Sequence, residues 1–218
     1  MRAFLSIPLL AVLGSCGSRS IGFEVVSIRP IFGWADGCNA VKISGHGFAT
    51  SAEQGATSIG DKPVTDLTLP DSSLDIGYTF TATVPAGTPG YADVTVHNKD
   101  AESTLTDGYF YVECPAPALI EAASPTKGVT AEMVIHLTGC NLDAAAFTAK
   151  VGDAEPVPLT SACGTGEVTF VAPDLADGAY GVSLLNADGE VVFPTPCDTA
   201  DTGASCDVAP VLTYGEAQ

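Results

Sequence analysis

Landmarks in the first half of this sequence return in the same order in the second. Ser27-Ile28-Arg29-Pro30, followed by Gly33, is matched by Ala122-Ala123-Ser124-Pro125, followed by Gly128. Val41-Lys42-Ile43-Ser44-Gly45-His46-Gly47-Phe48 is matched by Ile135-His136-Leu137-Thr138-Gly139-Cys140-Asn141-Leu142. Ile59-Gly60-Asp61 and Val151-Gly152-Asp153 are each followed by a Pro-Val pair, Phe80–Pro85 corresponds to Val168–Pro173, and Gly90–Asn98 to Gly178–Asn186. The offset is 95 at the first proline and 88 at the last asparagine, a drift that loop-length changes produce. The chain is therefore a tandem repeat of one module, and each copy has the size of a small domain.

The module reads as β throughout. Ala92-Asp93-Val94-Thr95-Val96-His97 alternates small or apolar with polar residues, as does Tyr180-Gly181-Val182-Ser183-Leu184, and a period of two buries one face of a strand. Val41/Ile43 and Ile135/Leu137 are the inward pairs of an earlier strand. With 23 Gly and 15 Pro punctuating the chain and only 16% charged residues, no stretch holds a helical period. The expected fold class is all-β, two tandem sandwiches.

The landmarks resemble the IPT/TIG family of immunoglobulin-like domains. The resemblance is carried by Pro30, Gly45-His46-Gly47-Phe48, Ile59-Gly60, Val84-Pro85, Asp93–Asn98 and the closing Tyr109-Phe110-Tyr111. It implies an immunoglobulin-like β-sandwich over residues 23–114 and a second over 115–218. In the second copy Asn141 stands where the family has its second turn glycine, and asparagine tolerates a left-handed backbone. An insertion around Cys197–Cys206 separates that copy's last two strands. The boundary falls at Cys114-Pro115-Ala116-Pro117, where two prolines favour extended, semi-rigid chain. Two modules account for nearly all of the chain after residue 22, which leaves no segment for a separate catalytic domain.

Ahead of the modules, Met1-Arg2 precedes an apolar run, Ala3–Leu13, too short to span a bilayer as a helix. Residues 1–15 read as a secretory signal. Leu13-Gly14-Ser15-Cys16 resembles the bacterial lipobox, which implies a lipid on Cys16, a short tether over 16–22 and a membrane-anchored protein. Gly17, where an inner-membrane retention signal carries Asp, favours the outer membrane or cell surface. The alternative to this favoured reading is an ordinary signal peptide that happens to contain a cysteine.

With Cys16 set aside, Cys38, Cys114, Cys140, Cys163, Cys197 and Cys206 remain, an even number expected to form disulfides in an exported chain. The expected pairs are Cys197–Cys206 within the insertion, Cys140–Cys163 within the second module, and Cys38–Cys114 by elimination. No CxxC occurs and no histidine sits at ligand spacing from a cysteine pair, so neither a zinc site nor redox chemistry is expected.

Eight Lys and Arg against 26 Asp and Glu give a net charge of −18, which repels phosphate backbones and argues against nucleic-acid binding. No G-x-S-x-G, H-E-x-x-H or phosphate-loop motif occurs. His97 and His136 fall on outward strand phases and His46 lies in a Gly-His-Gly turn, so three solvated rings are expected rather than an acid–base or metal group. Asp198, Asp201 and Asp207 share the 197–207 loop, but the calcium-loop spacing is absent, and no metal or cofactor is expected. Phe32 and Trp34 remain as candidate partner-binding residues; Trp34, the only tryptophan, would alternatively close one end of the first sandwich. The expectation is a non-enzymatic, lipid-anchored envelope protein that binds, adheres or scaffolds, with a protein or glycan partner. A glycan-binding accessory protein is the alternative, and a small hydrolase the third.

Overall fold

The computed structural model describes residues 22–48, 54–68, 79–98, 101–194 and 207–215. The signal sequence, Cys16, residues 17–21 of the tether, Cys197, Cys206, Asp198 and Asp201 lie outside the described residues. The strands of the first repeat are β1 (Glu24–Arg29), β2 (Phe32–Trp34), β3 (Ala40–His46), β4 (Gln54–Ile59), β5 (Lys62–Pro63), β6 (Thr65–Thr68), β7 (Thr79–Thr83), β8 (Gly90–Asn98) and β9 (Ala101–Val112). They form a four-stranded sheet in the order β1-β3-β7-β6 and a five-stranded sheet in the order β2-β9-β8-β4-β5. β2 runs parallel to β9.

The second repeat supplies β10 (Leu119–Ser124), β11 (Lys127–Val129), β12 (Val134–Cys140), β13 (Thr148–Val151), β14 (Val157–Pro158), β15 (Thr160–Cys163), β16 (Glu167–Val171), β17 (Gly178–Leu185), β18 (Val191–Phe193) and β19 (Val211–Tyr214). Its sheets are β10-β12-β16-β15 and β11-β19-β17-β13-β14, with β18 also pairing β17. Strand for strand the orders are the same as in the first repeat, including a parallel pair, β11 with β19. The protein is two tandem immunoglobulin-like sandwiches. The place of the 12-residue β9 is divided in the second copy between β18 and β19, on either side of the insertion. The turn into β18 is an Asn-Ala-Asp-Gly hairpin in which Asn186 Oδ1 accepts from the amides of Asp188 and Glu190.

Alternation decides what is buried. Val41 and Ile43 of β3, Phe80 and Ala82 of β7, Val94 and Val96 of β8, and Tyr109 and Tyr111 of β9 close on one another to form the first core. Ile135, Leu137, Val168, Phe170, Val182, Leu184 and Leu212 do the same for the second. The Gly-x-Gly turn has a mechanical cause. β1 bulges between Val25 and Ser27, and its equivalent β10 between Ile120 and Ala122. At each bulge a carbonyl presses on the facing strand: a Cβ on Gly45 would lie 2.0 Å from the Glu24 oxygen, and one on Gly139 1.9 Å from the Leu119 oxygen. Gly47 follows at φ 70°, and Asn141 takes its place in the second copy at φ 53°.

The cysteines correct the sequence-based pairing. Cys38 is bonded to Cys163 and Cys114 to Cys140, with Cα–Cα separations of 5.8 Å in both. The expected pairs Cys38–Cys114 and Cys140–Cys163 each lie inside one module; both observed bridges instead cross from the first sandwich or its exit to the second. The reason is that the Gly37 turn of the first module packs on the β15–β16 turn of the second. A Cβ on Gly166 would meet the Gly37 oxygen at 2.7 Å and Cys38 Sγ at 3.1 Å. The Asn141 amide donates to Asp36 Oδ2, and Asn141 Nδ2 to the Ala116 carbonyl at 3.0 Å, which completes the junction.

Candidate functional site

Phe32 and Trp34 are two apart on β2, so both side chains point to the outward face of the five-stranded sheet. They meet different surroundings there. Phe32 is 58% exposed. Trp34 is half-buried because its indole Nε1 donates to Glu121 Oε2 on β10 at 3.0 Å, across the module junction. The structure thus separates the sequence-predicted pair: Trp34 leans on the second module without entering the first core, and Phe32 stays in the open.

Phe32 does have aromatic company, which sequence reasoning missed. In the parallel β2–β9 pairing it lies opposite Phe110, and Phe110 in turn lies opposite Tyr91 in the antiparallel β9–β8 pairing. Residues paired across adjacent strands share a face. Phe32, Phe110 and Tyr91 therefore form a stripe that crosses three strands at right angles. Tyr91 is 71% exposed and Phe110 37%, and their rings meet edge to face at 4.8 Å. With neighbouring strands about 4.8 Å apart, the stripe is roughly 10 Å long. Tyr109 and Tyr111, on the alternate phase of β9, turn inward and are buried.

Beyond Tyr91 the stripe opens into a groove of about 450 Å³, with Asp61, Lys62, Thr88, Asp93 and Thr95 among its walls and Tyr111 in its lining. Lys62 Nζ is held by the Ala86 carbonyl at 2.9 Å, and Asp93 Oδ1 accepts from the Asp107 amide at 2.8 Å. The Tyr111 hydroxyl donates to the Pro85 carbonyl at 2.9 Å, and burial, helped by the negative charge of Asp61, pushes its pKa up to about 12. This end of the site presents fixed hydrogen-bonding groups beside an exposed ring. At the other end lies a smaller cavity of about 310 Å³ with Phe32 and Trp34 in its lining.

The histidines are dispersed. His97 Nδ1 faces Glu102 at 3.3 Å across the β8–β9 pair, and His136 Nδ1 faces Glu167 at 2.8 Å across β12–β16. Among the described residues no group of three or more His, Cys, Asp or Glu could hold a metal ion. None of the described residues forms a helix long and apolar enough to cross a membrane.

Among known protein families, residues 24–112 match the IPT/TIG domain model. No curated protein matches the sequence. Among solved structures, the chain is similar to SGBP-B of the Bacteroides ovatus mixed-linkage glucan utilization locus, in complex with a mixed-linkage heptasaccharide. That similarity is 19% identity over 82% of this chain and 42% of the other, with a TM-score of 0.39. It is also similar to the plexin A4 extracellular region, at 13% identity over 92% of this chain and 19% of that one, TM-score 0.39. A third is the gamma-CGTase of alkalophilic Bacillus clarkii, at 17% identity over 80% and 24%, TM-score 0.33. The chain spans less than half the length of each, and likeness at this level identifies no ligand.

Proposed function

Taking residues 24–112 as an IPT/TIG domain, we propose that this protein is a non-catalytic binding module of the cell envelope and that its ligand is a glycan laid along the aromatic stripe. The observation that carries the reading is the alignment of Phe32, Phe110 and Tyr91 on one outward face, with the groove beside Tyr91. The face of an aromatic ring is electronegative, and the C–H face of a sugar ring stacks on it. Fixed carboxylate, ammonium and hydroxyl groups alongside can then read the sugar hydroxyls, the usual division of labour between apolar walls and a few placed polar groups. A protein partner would need a larger desolvated patch than three rings bordered by Asp61, Lys62 and Asp93. Display on the outer membrane or cell surface through Cys16 fits the same role, since the lipobox-like sequence and the tether would hold the modules just off the bilayer.

The test is a panel of soluble polysaccharides, scored by affinity electrophoresis and then by calorimetry. Tyr91→Ala and Phe32→Ala should each weaken binding of any retained glycan about tenfold or more, as loss of an exposed stacking ring does. Their thermal midpoints should stay near that of the parent, because neither side chain belongs to the core. Wild-type affinity in both variants would refute the site, and failure of every glycan to bind would refute the ligand class.

A further inference from the structure

The stripe does not stop at Phe32. The same ring that heads it also lines the 310 Å³ cavity at the module junction, where Trp34 forms one wall, Val112 and Pro30 add apolar surface, and Asn39 and Glu121 bring polar groups. We propose that this cavity is a second subsite, which takes the terminal sugar residue of an uncharged glycan whose chain lies on the stripe. The proposal rests on the glycan reading above and adds to it the position of the chain end and the charge of the ligand.

Three observations carry it. First, the cavity has the chemistry of a sugar site in miniature: an indole, a side-chain amide and a carboxylate, from β2, the loop before β3, and β10. Glu121 gives Oε2 to the Trp34 indole at 3.0 Å, which fixes both side chains and leaves Oε1 to accept from a ligand hydroxyl. Second, its volume is at the lower end of ligand cavities, about 300–1,000 Å³, so it suits one ring and not a chain. Glu121 belongs to the second module, and its bond to Trp34 closes that side of the cavity. Third, the carboxylate in the wall and the net charge of −18 disfavour uronic-acid or sulfated sugars, which leaves neutral residues as the fitting class.

The arrangement also makes the site bimodular. Asn39 and Trp34 come from the first repeat and Glu121 from the second, and Cys38, adjacent to Asn39, is the residue that bonds to Cys163. Rigid attachment of the modules thus keeps the two halves of the cavity in register.

Trp34 is the only tryptophan, so its emission reports on this cavity alone. The experiment uses the full chain and a neutral oligosaccharide retained in the panel, with an acidic oligosaccharide of similar length as the contrast. Binding of the neutral ligand should shift Trp34 emission and cut its quenching by acrylamide, and Glu121→Gln should weaken affinity about fivefold, the difference between a hydrogen bond to a charged and to a neutral acceptor. Asn39→Ala should act in the same direction. Tyr91→Ala should weaken binding too, yet keep the emission shift at saturation. If the glycan binds in a Tyr91-dependent way while Trp34 emission stays still and Glu121→Gln keeps the parent affinity, the subsite is wrong and the glycan reading survives. Equal affinity for the acidic oligosaccharide would overturn the charge assignment. If no glycan binds, both fall.

Discussion

Replacing Cys38 and Cys163 together by serine removes one of the two bonds that, among the described residues, cross the module junction, and leaves Cys114–Cys140 in place. The two cysteines are 125 residues apart, while Cys114 and Cys140, nested inside that ring, are 26 apart. With the inner loop already closed, the outer bond restrains an effective ring of about 100 residues, worth roughly 4.7 kcal/mol of chain entropy. For a protein of this size each kcal/mol moves the thermal midpoint by about 2–4 °C, so the variant should melt roughly 10–18 °C lower. Besides Cys114–Cys140, the junction keeps three hydrogen bonds, Trp34 to Glu121, the Asn141 amide to Asp36 and the Asn141 side chain to Ala116, worth about 1–3 kcal/mol each. They are too weak to keep two separate cores melting together, so a single transition in the parent should split into two. Scanning calorimetry on both proteins gives the answer, with non-reducing peptide mapping of the parent as the companion measurement. A midpoint change under about 2 °C, or a mapped Cys38–Cys114 peptide, would refute the cross-module bridge.

Gly139→Ala should destabilise the second module by about 3 kcal/mol or more, because the new Cβ would sit 1.9 Å from the Leu119 carbonyl oxygen and only backbone movement relieves it; urea unfolding measures it. Alkaline titration should lower stability. Burial lifts the Tyr111 pKa from 10.0 to about 12, and Tyr109 is raised by burial and then by Tyr111. The unfolded chain therefore loses those protons first, and the stabilisation, complete below pH 10, declines by about 1.4 kcal/mol per pH unit for each tyrosine as the pH climbs to 12. A flat stability profile between pH 10 and 12 would contradict the burial of both rings. Cys16→Ser, expressed in a bacterial host with its native leader, should move the protein from the membrane to the soluble fraction; continued membrane association would end the lipobox reading.

The repeat was legible because its landmarks are backbone necessities. Gly45 and Gly139 answer the same bulge, and the period of two in Val41/Ile43 and Ile135/Leu137 states which face is buried. Alternation is silent, however, on how one sandwich leans against another. Pairing within modules is therefore all that the sequence suggests, since nothing in the residues around Cys38 says that the Gly37 turn rests on Gly166. The aromatic stripe was half legible. Tyr109-Phe110-Tyr111 reads as a closing motif, and applying the same alternation inside it would have set Phe110 outward between two core tyrosines. Its alignment with Tyr91 and Phe32 depends on strand register, which the chain encodes only through the folded sheet. Phe32 is exposed, while Trp34, for which the sequence leaves exposure and core both open, occupies a third position, against the neighbouring module.

The crossing bridges have a consequence for a protein that meets proteases. The segment Pro115-Ala116-Pro117 is the only peptide connection between the sandwiches, and Pro115 and Pro117 are exposed. A cut between Pro115 and Ala116 would sever the chain but not the molecule. Cys38 and Cys114 would stay on the amino-terminal fragment, Cys140 and Cys163 on the other, and both bonds would run from one fragment to the other. The nicked protein would migrate as one species until a reductant was added, and only then shed its second half.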